Sequence, residues 1–126
     1  MGPTKTPRPK ILIVDDSSDD LNLLSRILEN HGYQVETCAS FCEGAALAAS
    51  QDYDFVVAGQ GGPRFEGQAV IKQTLDRHRP VVVVTRCLEM ACYLEAMQMG
   101  ALDYLEKPVP EEFLVREIET HLQQAA

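Results

Sequence analysis

The chain has 126 residues, of which 45% are hydrophobic and 24% charged, and its formal net charge is −8. This length suits one domain with its own core, and the acidic balance with scattered Lys and Arg argues against nucleic-acid binding. The sequence has no apolar run near the roughly 18 residues of a membrane span, and MGPTKTPRPK lacks the apolar region of a signal peptide. We therefore expect a flexible tail at 1–8 and a cytoplasmic protein.

The four cysteines do not have the spacing of a zinc site. They form the pairs C-x3-C and C-x4-C, without a C-x2-C pair or a neighbouring histidine. We expect reduced thiols, partly buried as small apolar groups. The residues concerned are Cys38, Cys42, Cys87 and Cys92.

Two kinds of apolar segment alternate along the chain. Short β-branched runs predict strands, and segments with apolar residues at helical spacing predict helices. Strands are predicted at 10–14, 33–39, 55–58, 81–85 and 103–106, and helices at 17–32, 44–50, 69–78, 88–100 and 111–122. Five β–α repeats with short links predict an α/β domain, a doubly wound parallel sheet with helices on both faces.

Several residues predict where the helices begin and end. Ser17 or Ser18 can cap the first helix, and Gly32 and Gly100 suit C-terminal stops. The second helix lies behind a capping box in SFCE at 40–43. Pro110 is tolerated in the first turn of the last helix.

Polar residues follow the predicted strands at their carboxyl ends, where open parallel sheets bind ligands. Asp15 and Asp16 follow the first strand, Thr85 ends the fourth, and Lys107 follows the fifth. Carboxylates suit Mg²⁺, and a hydroxyl and an ammonium suit phosphoryl oxygens. This combination is typical of metal-assisted phosphoryl transfer, except that the third strand ends at Gly59, which supplies no nucleophile.

Four segments resemble the receiver domain of bacterial response regulators. They are ILIVDD, the strand YDFVVA with Pro63 and Gly67 after it, VVVVT, and AMQMGALDYLEKP. The resemblance covers about residues 9–123, within a domain that we place at 9–124. It implies the flavodoxin-like receiver fold, with five strands in the order 2-1-3-4-5, and a role in two-component phosphorelay signalling.

The resemblance also implies roles for single residues by position. Asp15 and Asp16 match the acidic pair that holds Mg²⁺. Thr85 and Lys107 match the residues that contact the phosphoryl group. Tyr104 matches the aromatic residue that turns inward on activation, and the bond between Lys107 and the following proline is commonly cis in the family.

The sequence departs from the family where the reaction takes place. The phosphoacceptor aspartate falls at Gly59, which cannot form an acyl phosphate. Asp54 lies at the opposite end of the strand, roughly 16 Å from the site. Glu66 lies in a loop predicted to point away, and Gln60 is a poor nucleophile.

Arg86 is a second departure, because the family usually has a small residue after the threonine. Arg86 either reaches over the pocket and pairs with Asp15 or Asp16, relieving their mutual repulsion, or points into water. Both interpretations stay open at this stage.

The sequence therefore predicts a degenerate receiver, or pseudo-receiver, that is not an enzyme and whose Mg²⁺ site is weak or lost. We expect it to bind a sensor kinase or output protein through the face of the fourth helix, fifth strand and fifth helix, with a homodimer left open. Two alternatives stay open: phosphate acceptance by another residue, such as Asp15 or Asp16, and the regulatory domain of a longer transcriptional regulator.

Overall fold

The computed structural model describes residues 8–125, with side chains up to residue 122. Except for Arg8, the tail predicted at 1–8 lies outside the described residues. Within the described range, no helix has both the length and the apolar character that crossing a membrane requires.

Five strands alternate with five helices in the described part of the chain, as predicted. The strands are β1 (Lys10–Val14), β2 (Gln34–Cys38), β3 (Phe55–Gly59), β4 (Val81–Thr85) and β5 (Asp103–Glu106). The helices are α1 (Ser18–Asn30), α2 (Phe41–Ser50), α3 (Gln68–Asp76), α4 (Met90–Met99) and α5 (Glu111–Ala125). The boundaries shift by up to three residues; α2, for example, begins at Phe41, directly after its cap Ser40, and not at residue 44.

The strands form one parallel sheet in the order β2-β1-β3-β4-β5, which confirms the predicted topology. Successive residues of a strand face opposite sides. One side, including Ile13, Val57 and Val84, packs against α1 and α5. The other, including Ala58 and Tyr104, packs against α2, α3 and α4. The core therefore has two layers, with the sheet between them.

The predicted helix signals are found at the helix ends. Ser17 caps α1, since its Oγ accepts a hydrogen bond from the Asp20 N–H at 3.3 Å. Gly100 ends α4 with a φ of 114° and Gly32 follows α1 with a φ of 91°, in the left-handed region that favours glycine. These residues mark where α1 begins and where α1 and α4 end.

The loop after β3 folds back against the end of that strand. The Gly67 N–H donates to the Gln60 carbonyl at 2.9 Å. A Cβ atom on Gly67 would collide with the Gly59 carbonyl oxygen. The φ of Gly67 is −67°, which any residue can adopt. Glycine is therefore needed at this position for the close approach of the two backbone segments and not for its backbone conformation.

All four cysteines lie among the described residues and are free. Cys38 and Cys92 are buried, whereas Cys42 and Cys87 are exposed. Burial raises the pKa of the Cys92 thiol, which therefore stays protonated near neutral pH. This agrees with thiols that serve in part as small apolar groups.

Candidate functional site

The carboxyl ends of four strands meet at one cleft of about 270 Å³. Asp15 and Asp16 follow β1, Gly59 ends β3, Thr85 ends β4 and Lys107 follows β5, and all five line this cleft. The bond between Lys107 and the following proline is cis. The groups that the sequence predicted at this edge are therefore brought together.

Lys107 binds two carboxylates, one inside the cleft and one beside it. Its Nζ donates to Asp15 Oδ2 at 2.6 Å and to Asp20 Oδ2 at 2.7 Å. The Lys107 side chain is 13% exposed, and those of Asp15 and Asp20 are 2% and 16% exposed. Because charge pairs screened from water interact strongly, this ammonium is the main cation that neutralises the two carboxylates.

Asp20 is held in its ionised form by its neighbours. Burial by itself would raise the pKa of the Asp20 carboxyl. The hydrogen bond from Lys107 and the positive charges of Lys107 and Arg86 outweigh this effect and lower that pKa below its ordinary value. Asp20 is therefore charged at neutral pH and helps to hold Lys107 in place.

Arg86 pairs with neither Asp15 nor Asp16, and it does not simply point into water either. Arg86 Nη2 instead donates to Asp20 Oδ2 at 2.8 Å, and its side chain is 66% exposed. Asp15 is already occupied, since its Oδ1 accepts the Ser17 N–H at 2.9 Å and its Oδ2 accepts Lys107. Asp20 Oδ2, in the first turn of α1, accepts both Lys107 and Arg86, and much of the guanidinium stays in water.

The residues fit Mg²⁺ poorly in this arrangement. A hard divalent cation needs several free oxygen ligands, but both oxygens of Asp15 accept hydrogen bonds, one of them from an ammonium. Asp16 is exposed, and Gly59 offers no side chain. No group of three or more His, Cys, Asp or Glu in residues 8–125 is placed to hold a metal ion. Binding of Mg²⁺ would require Lys107 to leave Asp15.

The space beside Gly59 is taken by Asp15. A Cβ atom built on Gly59 would lie 2.9 Å from Asp15 Oδ2 and 3.1 Å from its Cγ. Contacts below 3.0 Å force a shift, so a side chain at position 59 would displace the Asp15 carboxylate. The missing side chain thus allows Asp15 to lean over the end of β3.

The other carboxylates near position 59 in the sequence do not line the cleft. Asp54 Oδ2 accepts the Lys10 N–H at 2.8 Å, at the amino end of the sheet. Glu66 Oε1 accepts the Gly62 N–H at 2.8 Å within its own loop. Both positions agree with the prediction that neither carboxylate can replace the acceptor.

The Thr85 hydroxyl is engaged by its own loop. Its Oγ1 donates to the Cys87 carbonyl at 2.9 Å and accepts the Cys87 N–H at 3.2 Å. The side chain is buried, with a residue exposure of 5%. Thr85 lines the cleft as predicted, but its hydroxyl proton is donated to the Cys87 carbonyl.

Tyr104 is turned into the core, and it contacts a residue to which the sequence analysis gave no role. Its hydroxyl donates to Gln60 Oε1. Its ring packs edge-on against Tyr93, with 5.6 Å between centroids and an interplanar angle of 86°. Burial raises the pKa of the Tyr104 phenol, so it stays a hydrogen-bond donor at neutral pH.

Sequence reasoning missed Asp20 and gave Gln60 no structural part. The signal for Asp20 was its place in the first turn of a helix that starts beside the carboxyl edge of the sheet. The signal for Gln60 was strand alternation, which places it opposite Gly59 and on the side of Tyr104.

The whole domain matches a known family model. The model of the response regulator receiver domain matches residues 11–119. Protein PilH of Pseudomonas aeruginosa is 37% identical over 113 residues, which span 86% of this chain and 93% of PilH. The photosynthetic apparatus regulatory protein RegA of Rhodovulum sulfidophilum is 34% identical over 79% of this chain, which spans 56% of that protein.

Solved structures show the same fold. A response regulator receiver domain protein (CheY-like) from Methanospirillum hungatei is 28% identical, with a TM-score of 0.85 over 93% of this chain and 95% of the other. Its likeness extends over the five-stranded sheet and the helices on both of its faces. This chain therefore belongs to the receiver domains of two-component response regulators.

Proposed function

We propose that this domain signals without accepting a phosphoryl group, and that it acts by binding other proteins rather than as an enzyme. One observation carries the proposal: β3 ends in Gly59, and the space of the missing side chain is taken by Asp15. An acyl phosphate needs a carboxylate free to attack phosphorus. The Asp15 carboxylate is instead held by Lys107 and the Ser17 N–H.

The remaining residues of the cleft support the same conclusion. Lys107 donates to two carboxylates, and the Thr85 hydroxyl bonds to Cys87. Both would have to break these contacts before they could bind phosphoryl oxygens. We propose that Mg²⁺ binds weakly, because Lys107 already neutralises Asp15.

The surface supports a role in protein binding. Among the described residues five large apolar side chains are exposed, and four of them lie on or beside α4 and α5. They are Leu88 (45%), Met90 (60%), Leu94 (51%) and Phe113 (44%). Exposed apolar clusters mark interaction sites. We propose that a sensor kinase, an output protein or a second copy of this domain binds at the α4–β5–α5 face, and that binding takes place in the cytoplasm.

The test is chemical phosphorylation followed by intact mass spectrometry. The chain and its Gly59→Asp variant are incubated with acetyl phosphate and millimolar Mg²⁺. We expect the parent to keep its unmodified mass. We expect the variant to gain the mass of one phosphoryl group. The variant is the matched control, because it restores an acceptor at the position that the family uses.

The parent spectrum decides between the proposal and its alternative. A stoichiometric adduct on the parent would refute phosphate independence, and mapping it to Asp15 or Asp16 would identify a substitute acceptor. An adduct on the variant alone supports the proposal.

A further inference from the structure

Gln60 and Tyr104 form a polar pair inside the core. They are 4% and 5% exposed, and the Tyr104 hydroxyl donates to Gln60 Oε1. Buried polar groups need a partner, since an unpaired one loses its hydration without compensation. The other end of the amide, Nε2, faces the Gly62 carbonyl at 3.5 Å. Each end of the Gln60 amide therefore meets a group of matching polarity.

The backbone of Gln60 is fixed on both sides. Its N–H donates to the Val84 carbonyl at 3.1 Å, and its carbonyl accepts the Gly67 N–H at 2.9 Å. The side chain thus projects from a rigid point between β4 and the loop after β3. Gln60 directly follows Gly59 and lines the same cleft as Asp15 and Lys107, but its side chain reaches Tyr104 in the other core layer.

The Tyr104 ring is held from a second direction by α4. It packs edge-on against Tyr93 and lies in the core layer that includes Cys92 and Ala96. The inward position of Tyr104 is therefore stabilised by two contacts from within the chain. The Tyr104 hydroxyl also lies close to the Thr85 side chain at the cleft.

We propose that Gln60 is a built-in latch that holds Tyr104 inward in the absence of phosphate. The α4–β5–α5 face, to which Tyr93 and Tyr104 contribute, is then presented in one standing arrangement. This inference rests on the proposed function in one respect: the latch sets the position of Tyr104 because no acyl phosphate does so.

Fluorine NMR of the chain labelled with 3-fluorotyrosine tests the latch. Tyr104→Phe assigns the Tyr104 resonance among the four tyrosines. In the parent we expect one Tyr104 resonance without a D₂O-induced shift, unchanged by acetyl phosphate and Mg²⁺. In Gln60→Leu, which removes the acceptor, we expect a second, solvent-exposed resonance and a roughly fivefold rise in the outward-to-inward ratio, the effect of one hydrogen bond.

Two further variants make the result decisive. Gln60→Asn keeps an amide but shortens it by one methylene, so it should also release Tyr104. Gln51→Leu makes the same type of change at an exposed glutamine and should leave Tyr104 as in the parent.

The outcomes separate the latch from the proposed function. A Tyr104 resonance that stays buried in both Gln60 variants, or that is already partly exposed in the parent, would refute the latch. If the parent takes up phosphate while its Tyr104 resonance stays single and buried throughout, phosphate independence fails and the latch stands.

Discussion

Asp15 Oδ2 lies 2.9 Å from the point at which a side chain on Gly59 would begin. The two residues come from the ends of neighbouring strands, β1 and β3, which pair in parallel. The present position of the Asp15 carboxylate therefore depends on the glycine beside it.

Gly59→Asp should make the stability of the domain depend on Mg²⁺. The new carboxylate would displace Asp15 and repel it, because adjacent carboxylates cannot both ionise freely. We expect a loss of about 2 kcal/mol in the free energy of unfolding without metal, largely restored by millimolar Mg²⁺. Urea unfolding in EDTA and in Mg²⁺ measures both values.

Gly59→Ala separates the two contributions to that loss. This substitution introduces the same steric contact with Asp15 but no charge. The variant should therefore be less stable than the parent, and Mg²⁺ should not change its free energy of unfolding. Equal Mg²⁺ dependence in the two variants would show that the repulsion argument is wrong.

Lys107→Met should be strongly destabilising. It leaves Asp15, whose side chain is 2% exposed, without its cation, and breaking a buried ion pair costs about 3 kcal/mol or more. The loss should shrink when Mg²⁺ is added, because the carboxylates become available to the metal. Chemical unfolding with and without Mg²⁺ is the measurement.

Arg86→Met is the matched control for Lys107→Met. It removes a charge from the same network at a side chain that is 66% exposed, and exposed ion pairs contribute about 0.5 kcal/mol. A similar loss of unfolding free energy in the two variants would contradict the conclusion that Lys107 is the main cation for these carboxylates.

Asp20→Asn should change how stability depends on pH. The pKa of Asp20 is lowered in the folded chain, so its ionised form stabilises the fold fully above the ordinary value of 3.8 and loses this effect as the pH falls through the folded value. The free energy of unfolding of the parent should exceed that of the variant by about 1.5 kcal/mol at neutral pH. This difference should narrow below pH 3.8.

The melting temperatures of the parent and Asp20→Asn, taken across this pH range, check the sign. Asp19→Asn is the control, since Asp19 is exposed in the same turn of α1. A gap between the parent and Asp20→Asn that widens with acidification would contradict the assignment.

Gly67→Ala should disrupt the loop after β3. Its Cβ atom would meet the Gly59 carbonyl oxygen, so the backbone would have to move. Gly62→Ala is the matched control, because a Cβ atom there lies 3.6 Å from the nearest heavy atom, in ordinary contact. We expect a loss of about 3 kcal/mol for Gly67→Ala and little change for Gly62→Ala. Thermal unfolding of the two variants compares them directly.

The topology made part of the site predictable. Residues that follow parallel strands must meet at one edge of the sheet, so Asp15, Thr85 and Lys107 could be placed together from the chain alone. The side-chain partners of these residues could not be predicted from the sequence in the same way. Lys107 reaches Asp20 because α1 is oriented so that its first turn lies beside the end of β5. That orientation depends on the packing of α1 in its core layer.

Arg86 and Gln60 show the same limit. Arg86 has a long side chain that can reach several carboxylates, and it shares Asp20 with Lys107. Gln60 could be assigned to a face by alternation, but its contact with Tyr104 depends on the separation of β3 and β5 across β4. Such contacts follow from tertiary distances, which local patterns do not contain.

Both open edges of the sheet carry acidic side chains. On β2, Glu36 accepts a hydrogen bond from the Tyr53 hydroxyl at 2.9 Å and lies 3.6 Å from Lys10 Nζ. At the other edge, β5 has only four residues and is bounded by Asp103 and Glu106. A foreign strand approaching either side would meet negative charge and a short hydrogen-bonding ladder. Addition of a further strand to either edge of this sheet is therefore disfavoured.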